Sequence, residues 1–249
     1  AERILDRFGE ADVVTGSNTF AHNDHPEIIL EAARKVLKPK GHVCLEFMYA
    51  GDLLEMIQWD TLYHEHLTFY SLSSVQVLLE RCGFQIVDAE RHPMHGGSLR
   101  VIAAVDADEE EQPGVAAILE YERSRALADP DAWISFGRHV DRKIEVVRET
   151  LGYPSHDSRI WGYGAAGKAT LWVNACRMDY LEAMVDASPL RAGKLMPGTH
   201  TPIVFPDELR ANPPEYIFIS AWNYGDLIRS KESWFQGIWL VPLPDLKFF

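Results

Sequence analysis

The sequence predicts an α/β protein in which two parallel-sheet units follow one another along the chain. Two observations carry that prediction: a strand–helix–strand succession near the start, and a strand–glycine turn–helix succession in the second half. In the first, "ADVVTGSNTF" reads as a strand running into a loop, "DHPEIILEAARKVLKPKG" as a helix and "HVCLEFMY" as a second apolar strand. The helix opens on Pro26 and carries Ile28, Ile29, Ala32, Ala33, Val36 and Leu37 as one apolar stripe, with "KPKG" ending it. Strand, helix and strand with short links make a βαβ unit, hence a parallel sheet with a right-handed crossover.

Further along, "SLSSVQVLLERCGF" predicts a helix with a serine N-cap and a glycine just past its end. "QIVDAERHPMHGGSLRVIAAV" predicts two strands around a loop holding Gly96 and Gly97, a hairpin that closes one edge of the sheet. The acidic run "DADEEEQPG" reads as a solvated linker and places the domain boundary near residues 106 to 114. Helices are expected over residues 115–128 and 131–151. "RIWGYGAAGKATLWVNACR" then opens the second unit, and "LEAMVDAS", "EYIFIS" and "GIWLVPLP" supply its other strands.

A 249-residue chain that is 47% apolar and 24% charged can bury a real core. Its formal net charge of -13 argues against a nucleic-acid or anionic-membrane surface, because such surfaces rely on Lys and Arg. A small pocket for a phosphorylated ligand stays open, since a few local charges suffice there. Cys44, Cys82 and Cys176 are odd in number and form no C-x-x-C pair, which suits reduced thiols. No apolar run reaches the ~18 residues a membrane helix needs and no signal-peptide pattern opens the chain, so a soluble cytoplasmic protein is expected. "AERILDRFGEADVVTGSNTF" lacks a Met start and enters almost at once on a buried-strand pattern, as a chain beginning partway through a domain would.

The densest chemistry lies in "TLYHEHLTFY", residues 61–70. Three readings compete there: a general acid/base cluster, a metal site, and an aromatic strand that happens to carry histidines. His64 and His66 at i and i+2 would share one face of an extended segment and make two metal ligands, but no H-E-x-x-H or cysteine pair supplies a third. A histidine near neutral pKa with a carboxylate beside it fits acid/base work. Asn18 and His22 in "GSNTFAHNDH" fall at the carboxyl end of the first strand, where α/β sheets bind ligands. His95, Ser98 and Arg100 lie beside the Gly-Gly of the hairpin loop.

"GYGAAG" matches G-x-G-x-x-G at Gly162, Gly164 and Gly167, after a short strand and before a helix, with Asp186 ending the next predicted strand. That context suits a dinucleotide pyrophosphate on a helix N-terminus, with the acidic residue on a ribose. It equally suits a tight turn whose glycines serve packing alone, or a site for another diphosphate such as a nucleotide sugar, with Lys168 in reach. This half is short for a six-stranded dinucleotide fold.

Taken in order, "GSNTFAH", "LKPKGHVCLEF", "YHEHLTFYS", "HGGSLR", "GYGAAGKAT", "PGTHTPI" and "AWN" resemble the nucleotide-sugar C-methyltransferases, S-adenosylmethionine enzymes of deoxysugar biosynthesis. The best-known members act at C3 of a dTDP-4-keto-deoxysugar. The resemblance covers essentially the whole chain. It implies a partial Rossmann-like methyltransferase domain over residues 1–110, then linker helices and a second Rossmann-like α/β domain over residues 111–249. "ADVVTGSNTF" would be the fourth strand of the family's sheet. The first three strands, with most of the S-adenosylmethionine site, and the cysteine-rich zinc-binding N-terminal domain have no counterpart in these residues. Zinc is accordingly expected only in such an N-terminal domain, and no metal site is expected here.

The family's catalytic Tyr-x-Glu-His element matches Tyr63, Glu65 and His66, with His64 at the variable position. A turn, not a straight strand, is required for those three to converge. Its Asn and His after the fourth strand match Asn18 and His22. In that scheme His66 removes the proton beside the ketone, Glu65 holds its ring, and Tyr63, Asn18 and His22 donate to sugar oxygens. The resemblance places the nucleotide-diphosphate end against Gly162, Tyr163, Gly164 and Lys168, or against His95, Ser98 and Arg100. The alternatives are an NAD-dependent oxidoreductase using Gly162, Gly164, Gly167 and Asp186, or a truncated, non-catalytic sugar-nucleotide-binding chain.

Overall fold

The computed structural model describes residues 1–105, 109–152 and 158–249; the start of the acidic run, residues 106–108, lies outside the described residues. The chain forms two compact units, Ala1–Glu55 with His64–Ser135, and Met56–Tyr63 with Phe136–Phe249. The division therefore falls later than the acidic run, and the short segment Met56–Tyr63 leaves the first half of the sequence for the second unit.

In the first unit the order is α1 (Glu2–Phe8), β1 (Ala11–Ser17), α2 (Pro26–Val36), β2 (Leu37–Met48), α3 (Ala50–Glu55), α4 (Leu72–Arg81), β3 (Phe84–His92), β4 (Ser98–Val105) and α5 (Pro113–Ser124). The helix α6 (Pro130–Leu151) begins in this unit and ends in the other. Strands β1 and β2 pair in parallel, and β4 runs antiparallel between β2 and β3, giving the order β1-β2-β4-β3. The βαβ unit and the edge-closing hairpin are thus as the periodicity predicts. The register jumps from Ala11 opposite Leu37 to Val13 opposite His42, so residues 38–41 loop out of the ladder, with Lys40 at φ 65°. Helix α1 was not foreseen, and none of its residues is buried.

Helix α4 starts where the sequence places it. Ser71 accepts from the Ser74 amide while Ser74 returns a bond to the Ser71 amide, which satisfies two donors of the first turn. The buried Glu122 of α5 takes two more, accepting from the amides of Leu72 at 2.5 Å and Ser73 at 3.0 Å, and from the Tyr49 hydroxyl at 3.0 Å. A carboxylate there also meets the positive end of the helix dipole. Phe20, Phe47 and Tyr70 stack in the core of this unit with ring centroids 5.1–6.2 Å apart.

In the second unit the order is β5 (Ile160–Tyr163), α7 (Gly167–Ala175), β6 (Met184–Val185), β7 (Ile203–Val204), α8 (Pro206–Ala211), β8 (Tyr216–Ile219), α9 (Gly225–Lys231), β9 (Ile238–Val241) and β10 (Lys247–Phe248). The sheet order is β10-β9-β8-β5-β6-β7, all parallel except β10 against β9. Six strands do fit into this short stretch, contrary to the expectation, because β6, β7 and β10 are only two residues each. The chain winds from β5 outward through β6 and β7, then returns to β8 on the other side. The carboxyl ends of β5 and β8 therefore flank a topological switch point, where open α/β sheets form a crevice. Among the described residues no helix is long and apolar enough to cross a membrane.

Candidate functional site

In the first unit the loop leaving the carboxyl end of β1 meets the histidine loop. Asn18 takes φ 50°, a left-handed conformation that Asn tolerates, and its amide donates to the Glu46 carbonyl at 2.8 Å. Its side-chain Nδ2 donates to Ser17 Oγ at 3.3 Å. The turn Phe20–His22 buries Phe20 and Ala21 and leaves His22 exposed. The Ala21 carbonyl accepts from the amides of Leu67 at 3.0 Å and Thr68 at 3.3 Å, which clasps the two loops together.

Residues 63–65 turn, as convergence requires, leaving His64 and Glu65 exposed and His66 half-buried. Glu65 reaches His22 through its main-chain carbonyl, 2.7 Å from His22 Nδ1. A carbonyl only accepts, so the proton sits on Nδ1, and a neutral His22 presents Nε2 as an acceptor. The expected donor role at His22 is thereby available only to its imidazolium form. The His22 and His66 rings lie 5.0 Å apart, and Phe69 stands edge-on to His66 at 5.8 Å. His22, Glu65 and His66 are thus brought together, with Asn18 at the same strand end.

Tyr63 belongs to the second unit. There the segment Met56–Tyr63 occupies the switch point between the loops after β5 and β8. The Trp59 ring meets Trp172 of α7 edge-on at 4.7 Å. The fully buried Asp60 accepts through Oδ2 from the indole N–H of Trp172 at 3.0 Å and of Trp222 at 2.7 Å. The Tyr63 ring lies over Gly167, where an added Cβ would come within 3.2–3.3 Å of its carbons. Burial pushes the Asp60 carboxyl up, opposed by the Lys168 charge and the two indoles. Burial pulls the Lys168 ammonium down, opposed by Asp60. Lys168 Nζ is shut off from solvent 4.6 Å from the Trp222 ring, so the expected reach to a phosphate is not what it does.

The glycine turn is committed to the fold. The amides of Gly162 and Gly164 donate to the carbonyls of Ala183 and Val185, both at 2.8 Å, and that of Ala165 to Asp186 Oδ2 at 2.8 Å. Asp186 also accepts from the Ser188 amide at 2.8 Å and pairs with Arg191 at 3.1 Å. The Tyr163 hydroxyl donates to the buried Glu232 at 2.9 Å. The amides of Gly162, Gly164 and Ala165, the Tyr163 hydroxyl and the Asp186 carboxylate are thus used within the fold, where the sequence reading set Gly162, Tyr163 and Gly164 against a diphosphate. Packing explains the glycines instead: a Cβ on Gly162 would lie 2.0 Å from Met184 Sδ, and Gly164 at φ 94° would press a Cβ to 2.9 Å from that of Ala221. Gly162→Ala should accordingly cost about 1–3 kcal/mol by overpacking, read as a lowered urea midpoint.

The hairpin residues are likewise engaged. The buried Ser98 donates its hydroxyl to the Met94 carbonyl at 3.1 Å, and Arg100 forks onto Glu46 Oε2 at 2.8 and 3.1 Å. Nε and Nη2 of Arg100 are thereby taken by a buried carboxylate, while its side chain stays 40% exposed. His95 sits exposed at the loop tip with φ 55°. Sequence reasoning missed Asp60, Trp172 and Trp222. A single acidic residue between tryptophan and threonine in "QWDTLYHEH" was the one visible sign of the first. Among the described residues no three His, Cys, Asp or Glu side chains gather in a way that could hold a metal ion.

Two protein families match this chain: a methyltransferase domain over residues 2–89, and a C-methyltransferase C-terminal domain over residues 93–244. C-methyltransferase NovU of Streptomyces niveus is 34% identical over 251 residues, an alignment covering 98% of this chain and 60% of that protein. The chain thus spans about 60% of the length of this curated relative.

Proposed function

The chain belongs to the C-methyltransferase family, and we propose that the whole protein methylates a carbon beside the keto group of a nucleotide-diphosphate keto-deoxysugar, with S-adenosylmethionine as methyl donor. The observation that carries the reading is the convergence of His22, Glu65 and His66 at the carboxyl end of β1. When bound, S-adenosylmethionine supplies an electrophilic methyl group on a sulfonium. Most of its site is expected outside these residues. The loop after β1 carries Asn18 and His22, and the glycine turn of the second sheet is covered by the Tyr63 ring. The part of these residues is therefore proton handling.

A carbon beside a ketone becomes nucleophilic only when its proton leaves. His66 takes that proton, and the electron pair of the broken C–H bond moves onto the carbonyl oxygen as an enolate. Asn18 donates to sugar oxygens, including the one on which charge develops, and the Tyr-x-Glu-His match gives Tyr63 a donor's part as well. His22, its Nδ1 proton fixed on the Glu65 carbonyl, lies ring to ring with His66 and can share the proton through Nε2. The partner is a nucleotide sugar; the net charge of -13 speaks against a nucleic-acid or anionic-membrane surface.

The test uses the whole protein with a dTDP-4-keto-deoxysugar in heavy water. Deuterium should enter beside the keto group, and adding S-adenosylmethionine should give a product heavier by one methyl for hydrogen exchange. A protein that binds the sugar nucleotide but neither exchanges that proton nor methylates it would defeat the reading.

A further inference from the structure

The strand order of the second unit sets a switch point where an open α/β sheet would hold a nucleotide, yet its features serve the chain itself. Helix α7 and the turn after β8 both grip one segment from far back in the sequence. Gly167 opens α7 directly beneath the Tyr63 ring, and Trp172 one turn on donates to Asp60. From the loop after β8, Trp222 donates to the same carboxylate oxygen. Asp60 Oδ1 and Lys168 Nζ are both buried without a hydrogen-bond partner, and the charge of each opposes the shift that burial imposes on the other.

We propose that this crevice is an intramolecular dock for Met56–Tyr63, with Asp60 as the positioning residue that anchors the segment and Gly167 as the seat that sets where the Tyr63 ring lies. A buried carboxylate is costly unless its acceptor oxygens are used, and here two indole donors fix one oxygen, one from α7 and one from the turn after β8. That geometry specifies one place for the segment in a way an apolar contact would not. The absence of a side chain on Gly167 then lets the aromatic ring approach the start of α7 closely. That Tyr63 touches substrate rests on the reading above; that the crevice places Tyr63 does not.

The experiment incorporates meta-fluorotyrosine at position 63 in the full chain and follows its fluorine NMR line. Asp60→Leu should shift and broaden the line toward its position in urea, at temperatures where the chain stays folded. Gly167→Ala should shift it as well, because the neighbour it disturbs is the ring and the backbone there accepts alanine. Glu232→Gln, which alters another buried carboxylate of the same unit, held by Tyr163, Trp234 and Arg210, should leave the line in place even as it lowers the melting temperature. If Asp60→Leu does not fold, Gly167→Ala decides alone. A line unmoved by Gly167→Ala, or moved as far by Glu232→Gln as by Gly167→Ala, overturns the proposal whatever reaction the protein catalyses. In the methylation assay Gly167→Ala should lower turnover several-fold in the wild-type background and add nothing to Tyr63→Phe, whereas fully additive losses count against positioning.

Discussion

Replacing His66 by alanine in the whole protein is expected to lower both deuterium entry beside the keto group and methyl transfer by about 10²- to 10⁴-fold, the range a positioned base contributes. The two readouts should fall together, because the proton must leave before the carbon can act as a nucleophile. His64→Ala should leave both nearly unchanged: His64 is exposed on the turn, whereas His66 is half-buried between His22 and Phe69. His22→Ala removes the Nδ1 bond to the Glu65 carbonyl and loosens the turn, so a smaller loss in both readouts is expected there. Equal losses at His64 and His66 would sink the assignment of His66 as the base. A loss of methyl transfer with proton exchange intact would sink it as well, since the base would then lie elsewhere.

What the sequence revealed here depended on how local each signal was. The β1–α2–β2 succession and the hairpin were legible because apolar period and turn residues act within a few positions. The need for a turn at Tyr63–His66 came with the family resemblance, which makes Tyr63, Glu65 and His66 converge although neighbours on a strand point to opposite faces. The glycine loop was legible as a turn but not as to what fills it. G-x-G-x-x-G encodes tight backbone and close approach, and a tyrosine ring satisfies that space as a pyrophosphate would. Whether its amides were free depended on β6, a two-residue strand with no period to read. Asp60 was illegible for a plainer reason: its partners Trp172 and Trp222 lie 112 and 162 residues away. Only the tertiary fold decides whether such a carboxylate is solvated or buried.

The histidine loop is tied down at both ends, by Asp60 before it in the second unit and by the start of α4 after it in the first. The second tie gives the largest expected effect on stability. Glu122→Ala should destabilise the chain by about 3–5 kcal/mol, because three donors lose a buried ionic acceptor worth roughly 1.5–3 kcal/mol each, less what water and relaxation restore. Those donors are the amides of Leu72 and Ser73 and the Tyr49 hydroxyl, and Glu122 is only 3% exposed. Burial and the neighbouring Glu122 both push the Tyr49 phenol up, so it stays a donor at any ordinary pH. Tyr49→Phe removes one of the three bonds and should cost only about 0.5–1.5 kcal/mol. Urea denaturation of the three proteins, with the slope checked for constancy, measures both differences. The loosened helix start should also reach the site, because Tyr70, two residues before Leu72, bridges Tyr49 and ends the loop that carries His66. Hydrogen exchange at residues 66–70 should therefore rise in Glu122→Ala at urea concentrations far below its midpoint. A Glu122→Ala cost below about 1 kcal/mol, the level of one ordinary hydrogen bond, would mean that the amides of α4 find other partners and that this carboxylate does not hold the loop.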